Sequence, residues 1–199
     1  MSLSKRVMDV TCSGLGMLLL SPPLLAIALA VWLGDRGPVL YRQERVGRGG
    51  RPFTMLKFRS MVAGADSKGR LVTVGGDARV TPVGRWIRRL KLDELPQLLN
   101  VLKGEMSLVG PRPEVQRYVD LYTAEQWPVL DLVPGITDPA SIKYRDEEAV
   151  LAGYDDPDRA YVEVVMPDKI AINLSYAARA TVLSDLAVIL KTLLRITRA

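Results

Sequence analysis

The chain has 199 residues, 48% of them hydrophobic and 25% charged, with a net charge of +5. That suits one ordinary domain with a sizeable core and excludes wholesale disorder. Histidine is absent and Cys12 is the one cysteine, which excludes histidine triads, imidazole metal sites, thiolate zinc clusters and intramolecular disulfides. Catalysis in this chain must run on carboxylates, hydroxyls, Lys, Arg or a hard cation held by oxygen.

Charge divides the chain. Residues 1–104 carry 17 basic and 7 acidic side chains, whereas residues 105–199 carry 10 and 15. From Arg36 to Arg59 seven basic residues face Glu44 alone, and from Arg79 to Lys91 there are five and no acid. Such a field suits nucleic acid, anionic lipid or a phosphorylated small molecule, or is a solvated basic face. Aromatic residues are 6% and do not interleave with the cations as stacking platforms would, which argues against nucleic acid as a partner.

Val10 to Gly34 carries no charge. At about 1.5 Å per residue a straight helix of that length would cross a hydrocarbon core of about 30 Å. Ser21-Pro22-Pro23 interrupts it. Two prolines remove backbone donors and clash with the preceding turn, so a sharp bend is expected, with Ser21 bonding a freed carbonyl. Lys5 and Arg6 precede the run, and Arg36, Arg42, Arg45, Arg48 and Arg51 follow it. Basic flanks mark the cytoplasmic side, so cations at both ends suit a helix–break–helix that enters and leaves by one face. A kinked single span is the other reading.

Val39-Leu40-Tyr41 and Phe53 to Leu56 read as strands around the turn cluster Gly47 to Gly50, a hairpin. Residues 60–78 read as a loop. Thr81-Pro82 starts a helix carrying Val83, Trp86, Ile87 and Leu90. Leu95, Leu98, Leu99 and Leu102 repeat the spacing, and Gly104 ends that helix. Gly110 to Pro113 is extended or turning. Val115, Tyr118, Val119 and Tyr122 suggest a further helix, and Trp127 to Pro139 a loop. Ser184-Asp185 can cap a last helix with Leu186, Ile189, Leu190 and Leu193, flanked by Lys191, Arg195 and Arg198. Its pattern fits an interfacial membrane helix and a core helix equally.

The chemistry centres on Asp93-Glu94, which follow the basic stretch and open the helix Leu95–Leu102. Acids there suit a cap and the helix dipole. The same geometry, beside Arg85, Arg88, Arg89 and Lys91, makes an anion site where a carboxylate could attack phosphorus. Adjacent helical residues do not face the same way, so one shared site requires a bend or two different roles. Arg112, rigid between Pro111 and Pro113, suits bidentate phosphate binding or is a surface turn. Lys57 and Arg59 alternate along a strand and would share one face, suited to a diphosphate or to solvent.

Together these residues resemble the monotopic phosphoglycosyl transferase family, the bacterial sugar transferases that start glycan assembly on polyprenol phosphate. The matching segments are Lys5 to Val10, Ser21-Pro22, Gly37-Pro38-Val39 through Arg42-Gln43, Phe53 through Lys57-Phe58-Arg59-Ser60-Met61, and Thr81 to Gly84. The most specific block runs from Leu92-Asp93-Glu94-Leu95-Pro96 to Gly104, then through Met106 to Gly110-Pro111-Arg112-Pro113, and Pro134-Gly135-Ile136-Thr137 is a further match. The likeness covers nearly the whole chain and is to the small members, without a large N-terminal transmembrane domain.

The resemblance implies a mostly helical α+β fold. Residues 1–34 would be a broken re-entrant membrane helix, with the break at Ser21 and Pro22. Residues 35–199 would be a catalytic domain with a short β-hairpin and interfacial amphipathic helices, on the cytoplasmic face of the bacterial inner membrane. The implied reaction transfers a sugar-1-phosphate from a UDP-sugar to polyprenol phosphate and releases UMP. Asp93 would be the nucleophile, passing through a phosphosugar-aspartyl intermediate. Glu94 would activate or position the acceptor, or share Mg2+ with Asp93. Pro111-Arg112-Pro113 would hold the nucleotide or phosphate end, with Lys57, Arg59 and Arg88 as further phosphate contacts. Membrane lipid is an implied partner, and a homodimer is compatible with exposed apolar helices. The alternative is an inactive membrane-anchored protein that binds UDP-sugar or lipid phosphate. Asp138-Pro139-Ala140-Ser141 departs from the family pattern after the Pro-Gly-Ile-Thr stretch, which bears on sugar selectivity.

Overall fold

A computed structural model describes residues 1–62, 64–65 and 77–197. Most of the loop read over 60–78, and Arg198, lie outside the described residues. The fold is mostly helical α+β, with two small two-stranded sheets among the described residues.

Helix α1 (Leu3–Leu19) and helix α2 (Ser21–Asp35) meet at 64°. The prolines fall in the first turn of α2, where a missing N–H costs nothing. Ser21 Oγ donates to the Leu18 carbonyl at 2.8 Å, the bond the break was expected to need. Among the described residues no single helix is long and apolar enough to cross a membrane; this bent pair passes only jointly. Leu15, Leu18, Leu19, Leu25, Leu29 and Leu33 are exposed, a broad apolar surface. The inner side of α2, Leu24, Ile27 and Val31, packs on Phe58 and Ile87.

The first turns of α1 serve a different end. Arg6 donates to the carbonyls of Val101 and Leu102 at 2.6 and 2.8 Å, satisfying carbonyls left open at the end of the helix Gln97–Lys103. Asp9 is fully buried and accepts from Ser107 Oγ at 2.8 Å and Leu108 N at 3.1 Å.

Strands β1 (Leu40–Val46) and β2 (Pro52–Phe58) form the antiparallel hairpin, longer than the sequence pattern indicated. Gly49 and Gly50 take positive φ in the turn, which side chains disfavour. Helix α3 (Pro82–Arg89) is capped by Thr81 Oγ1, which accepts from Gly84 N at 2.9 Å. Helix α4 (Gln97–Lys103) ends at left-handed Gly104. Its Asn100 accepts from Leu56 N at 3.1 Å and donates to Thr54 O at 2.7 Å, tying α4 to β2.

Strand β3 (Ser107–Val109) pairs in parallel with β4 (Gly135–Thr137). Neither strand is visible in the hydrophobic pattern, since each has three residues; β4 falls inside the stretch read as loop. Helix α5 (Gln116–Val119) is a single turn, shorter than the apolar spacing to Tyr122 suggested. Helices α6 (Pro139–Lys143), α7 (Glu147–Leu151) and α8 (Pro157–Ala160) follow. A π-turn over Tyr161–Val165 leads into α9 (Met166–Ala177). The main core joins Tyr118, Val129, Leu151, Tyr161, Val165, Met166 and Ile170.

The last helix, α10 (Val182–Thr197), begins two residues before the expected cap. Thr181 and Ser184 cap each other reciprocally at 2.8 and 3.1 Å. Asp185 is instead buried, accepting from Lys5 and from Tyr176. The pattern left α10 open between core and interface: Leu186, Leu190, Leu193 and Leu194 are exposed, and Val188 is the buried side.

Candidate active site

Asp93 and Glu94 do not cap α4. They lie in a separate 3-10 turn, Leu92–Glu94, because Lys91 takes a left-handed conformation with φ 54° that ends α3 abruptly. A non-glycine residue there is strained. The bend resolves the problem of two adjacent acids, since they take different surroundings.

Glu94 is held from two elements. Arg112 Nη2 donates to Oε1 at 2.6 Å and Nη1 to Oε2 at 3.3 Å, while Lys57 Nζ donates to Oε1 at 3.0 Å. Burial pushes the Glu94 carboxyl up, but Arg112 and Lys57 outweigh it and hold the group well below the ordinary range. The same contact raises Arg112. Lys57 is pushed down by burial, which Glu94 only partly offsets.

Asp93 is 8% exposed, and its Oδ1 has no hydrogen-bond partner among the described residues. Burial and then the neighbouring Glu94 charge raise its carboxyl, against the pull of Lys57, Lys91 and Arg88. One acid is therefore saturated and ionised, and the other is poised and open.

The Arg112 segment is fixed by backbone. Gly110 N donates to Thr137 O at 3.0 Å, Gly135 N to Pro111 O at 2.9 Å, and Arg45 Nη1 to Pro113 O at 3.0 Å. A Cβ on Gly110 or Gly135 would strike the other segment's backbone, so both glycines are needed for the close approach. The two motifs around Pro111 and Pro134 are thus the facing halves of one contact.

Asp93, Glu94, Lys57, Arg112 and Arg88 line one cavity of about 1420 Å³, larger than the roughly 300–1,000 Å³ of ordinary small-ligand sites. Arg59 lines it too, although its charged partner differs from that of Lys57. It follows β2 and pairs with Asp35 at the end of α2. Pro111 and Pro113 frame Arg112, whereas Ser21 and Pro22 remain at the helix break. Asp138 caps α6 by accepting from Ser141 N at 2.9 Å, so the divergent Asp138 to Ser141 stretch is the start of a helix, and Ser141 lines the cavity.

The sequence of this whole chain, residues 1–199, matches the family model for bacterial sugar transferases. The chain belongs to the bacterial sugar transferase family. Among curated relatives, it is 39% identical over 193 residues to a Caulobacter vibrioides UDP-glucose:undecaprenyl-phosphate glucose-1-phosphate transferase, covering 96% of this chain and 68% of that protein. It is 33% identical over 206 residues to the exopolysaccharide production protein ExoY of Rhizobium meliloti, covering 96% and 84%. An Aeromonas hydrophila UDP-N-acetylgalactosamine-undecaprenyl-phosphate N-acetylgalactosaminephosphotransferase is 48% identical over 121 residues, 61% of this chain but 29% of that protein.

In this sugar transferase, several supporting residues escaped sequence reasoning. Arg45 stood out only as a flanking cation, yet it braces Pro113. Asn100 carried no signal beyond its position on a helix, and Asp185 read as a cap, not as the buried partner of Lys5 and Tyr176. Lys5, Arg6 and Asp9 were legible as a motif but not as anchors of α4, β3 and α10.

Proposed function

We propose that this chain transfers a sugar-1-phosphate from a UDP-sugar to a polyprenol phosphate and releases UMP. The observation that carries the reading is the buried, unpartnered Asp93 oxygen beside a saturated Glu94–Arg112–Lys57 cluster. The names of the relatives support the substrate classes.

Asp93 attacks the phosphorus that bears the sugar. A P–O bond forms to Asp93, and the P–O bond to the bridging oxygen breaks, carrying its electron pair away with UMP. An oxygen of the polyprenol phosphate then attacks the same phosphorus and returns Asp93 as a carboxylate. Arg112 grips the donor phosphates in planar, bidentate fashion, and Lys57 adds a second cation. Glu94 holds both cations in register, and Arg88 and Lys91 favour the ionised nucleophile.

Mg2+ fits this site in a particular way. Among the described residues no group of three acidic or thiol side chains could hold an ion alone. Mg2+ is commonly held by one or two carboxylates, with substrate phosphates and water completing its shell. Asp93, with its open oxygen, would hold it that way, and the adjacent Glu94 would share it only by giving up the longer Arg112 bond at Oε2. The ion would neutralise charge on the diphosphate.

Residues 1–34 serve in this reading as a re-entrant membrane element on the cytoplasmic face of the inner membrane, and 35–199 as the catalytic part. The exposed leucines of α1, α2 and α10 support contact with lipid.

The test is UMP release from a panel of UDP-sugars with polyprenol phosphate and Mg2+, for wild type and Asp93→Asn. Release with a given sugar, together with a sugar-phosphate mass adduct on the protein, both lost in the variant, is expected. Binding without UMP release from any sugar would leave an inactive binding protein instead.

A further inference from the structure

Arg59 is one of several cations that line the cavity without a hydrogen bond to Glu94, and it is the one with an open buried donor among the described residues. Its Nη2 donates to Asp35 Oδ1. Its Nη1 is buried and meets no acceptor among the described residues, although the whole residue is 8% exposed. A buried donor left unmade is costly, and more so when charged. Gly37 lies against this guanidinium: a Cβ there would meet Nη1, and the arginine tip would have to shift. Arg59 lines the same cavity as Asp93.

Its height in the molecule is set by α2. Asp35 is the last residue of that helix, whose outer Leu25, Leu29 and Leu33 are exposed. Trp32 lies in the last turn with the Arg36 guanidinium over its ring, 5.9 Å from the centroid. A tryptophan and basic residues at the end of an apolar helix sit at the level of lipid headgroups. Arg59, paired to Asp35, is held at that same end. Lys57 and Arg112 are drawn instead to Glu94.

We propose that the two anionic substrates of this cavity enter at different cations: Arg59 receives the phosphate monoester of the lipid acceptor, and Arg112 with Lys57 receives the donor diphosphate. The assignment rests on the transfer reaction proposed above. The acceptor's second ionisation lies near pH 6 by analogy with other phosphate monoesters, and an adjacent guanidinium favours the dianion. The attacking oxygen is then already deprotonated. A P–O bond forms from it to the sugar-bearing phosphorus, the bond to Asp93 breaks, and no proton needs to move. A chain without histidine needs no general base for that step.

The experiment separates the two half-reactions with the full chain in nanodiscs. Exchange of labelled UMP into UDP-sugar, without lipid acceptor, reports the donor side. Transfer to polyprenyl phosphate reports the acceptor side. In Arg59→Lys, which keeps the charge but loses the fork, KM for polyprenyl phosphate should rise about tenfold, well beyond any loss in exchange. Arg112→Lys should show the reverse. Equal losses in both half-reactions, or an unmoved lipid KM, would overturn the assignment. A binding measurement covers the case of a poorly active variant. Asp93→Asn should bind nanodiscs carrying polyprenyl phosphate more tightly than nanodiscs of phosphatidylglycerol alone, and adding Arg59→Lys should abolish that difference. A preference that survives Arg59→Lys would overturn the assignment, as would no preference at all. Absence of UMP exchange in the wild type with every UDP-sugar would sink the transfer reading itself, and the Arg59 assignment with it.

Discussion

Two sets of buried charge lie on this fold and are finished differently. Behind β3, Asp9 accepts from Ser107 and Leu108, and Asp185 accepts from Lys5 and Tyr176. In the cavity, Glu94 is equally well held, yet Asp93 Oδ1 and Arg59 Nη1 are left open. Ser13 Oγ, Gln97 Nε2 and Asn173 Oδ1 are also unpartnered among the described residues, but they are neutral and cost less. Both open charged groups line the cavity. In the proposed function, closed networks hold the scaffold and the open charges wait for a partner that substrate would supply.

Asp93→Asn tests that contrast most sharply. It should lower UMP release by about a thousandfold, equal to about 4 kcal/mol of transition-state stabilisation. Its stability should move the other way. Folding raises the Asp93 pKa, so the ionised form opposes folding; that penalty is absent below the unfolded value and complete above the folded one. Asp93→Asn should therefore melt above the wild type at neutral pH and match it in acid. A lower Tm at neutral pH would place Asp93 with the closed networks.

Asp9→Ala should do the opposite. It removes the acceptor of two buried bonds, costing about 3 kcal/mol, or about 6–12 °C in Tm for a chain of this size. A Tm within a degree of wild type would show that the Asp9 network does not hold the scaffold.

Arg112→Lys keeps the charge and loses the fork. KM for UDP-sugar should rise about tenfold, or about 1.4 kcal/mol, in steady-state kinetics. An unchanged KM would leave Arg112 as a brace for Glu94 alone.

A pH profile resolves the acid pair itself. Ionised Asp93 is needed for attack, so the acid limb of kcat/KM should lie above the ordinary aspartate value of about 3.9. Glu94→Gln removes the like charge, so the limb of its residual activity should move to lower pH. A limb that stays put belongs to another group. Glu94 itself has the ordinary sign: its stabilisation is complete above its unfolded value and is lost as pH falls through its depressed folded value.

The smallest effect is expected at Leu190→Ser on the exposed side of α10, with stability in detergent within about 0.5 kcal/mol of wild type. Retention on vesicles should fall. Unchanged retention would remove α10 from the membrane surface.

Much of the fold was legible because it is local chemistry. The Pro22-Pro23 break, the Thr81 cap, the Gly104 stop and the hairpin turn follow from backbone conformations that neighbouring residues dictate. The acid pair and the Pro-Arg-Pro segment stood out as residues, and the absence of histidine limited the chemistry to carboxylates and cations. The rest was decided by contacts distant in the chain. Strands β3 and β4 pair across more than twenty intervening residues and are too short to show a period. Lys57 and Arg59 are two residues apart, yet one goes to Glu94 and the other to Asp35, because different elements supply their acids. Asp93 and Glu94 are adjacent and chemically alike. Only the left-handed turn at Lys91 and the reach of Arg112 make one a saturated anchor and the other an open carboxylate, since burial and partner distance are properties of the folded chain and not of residue type.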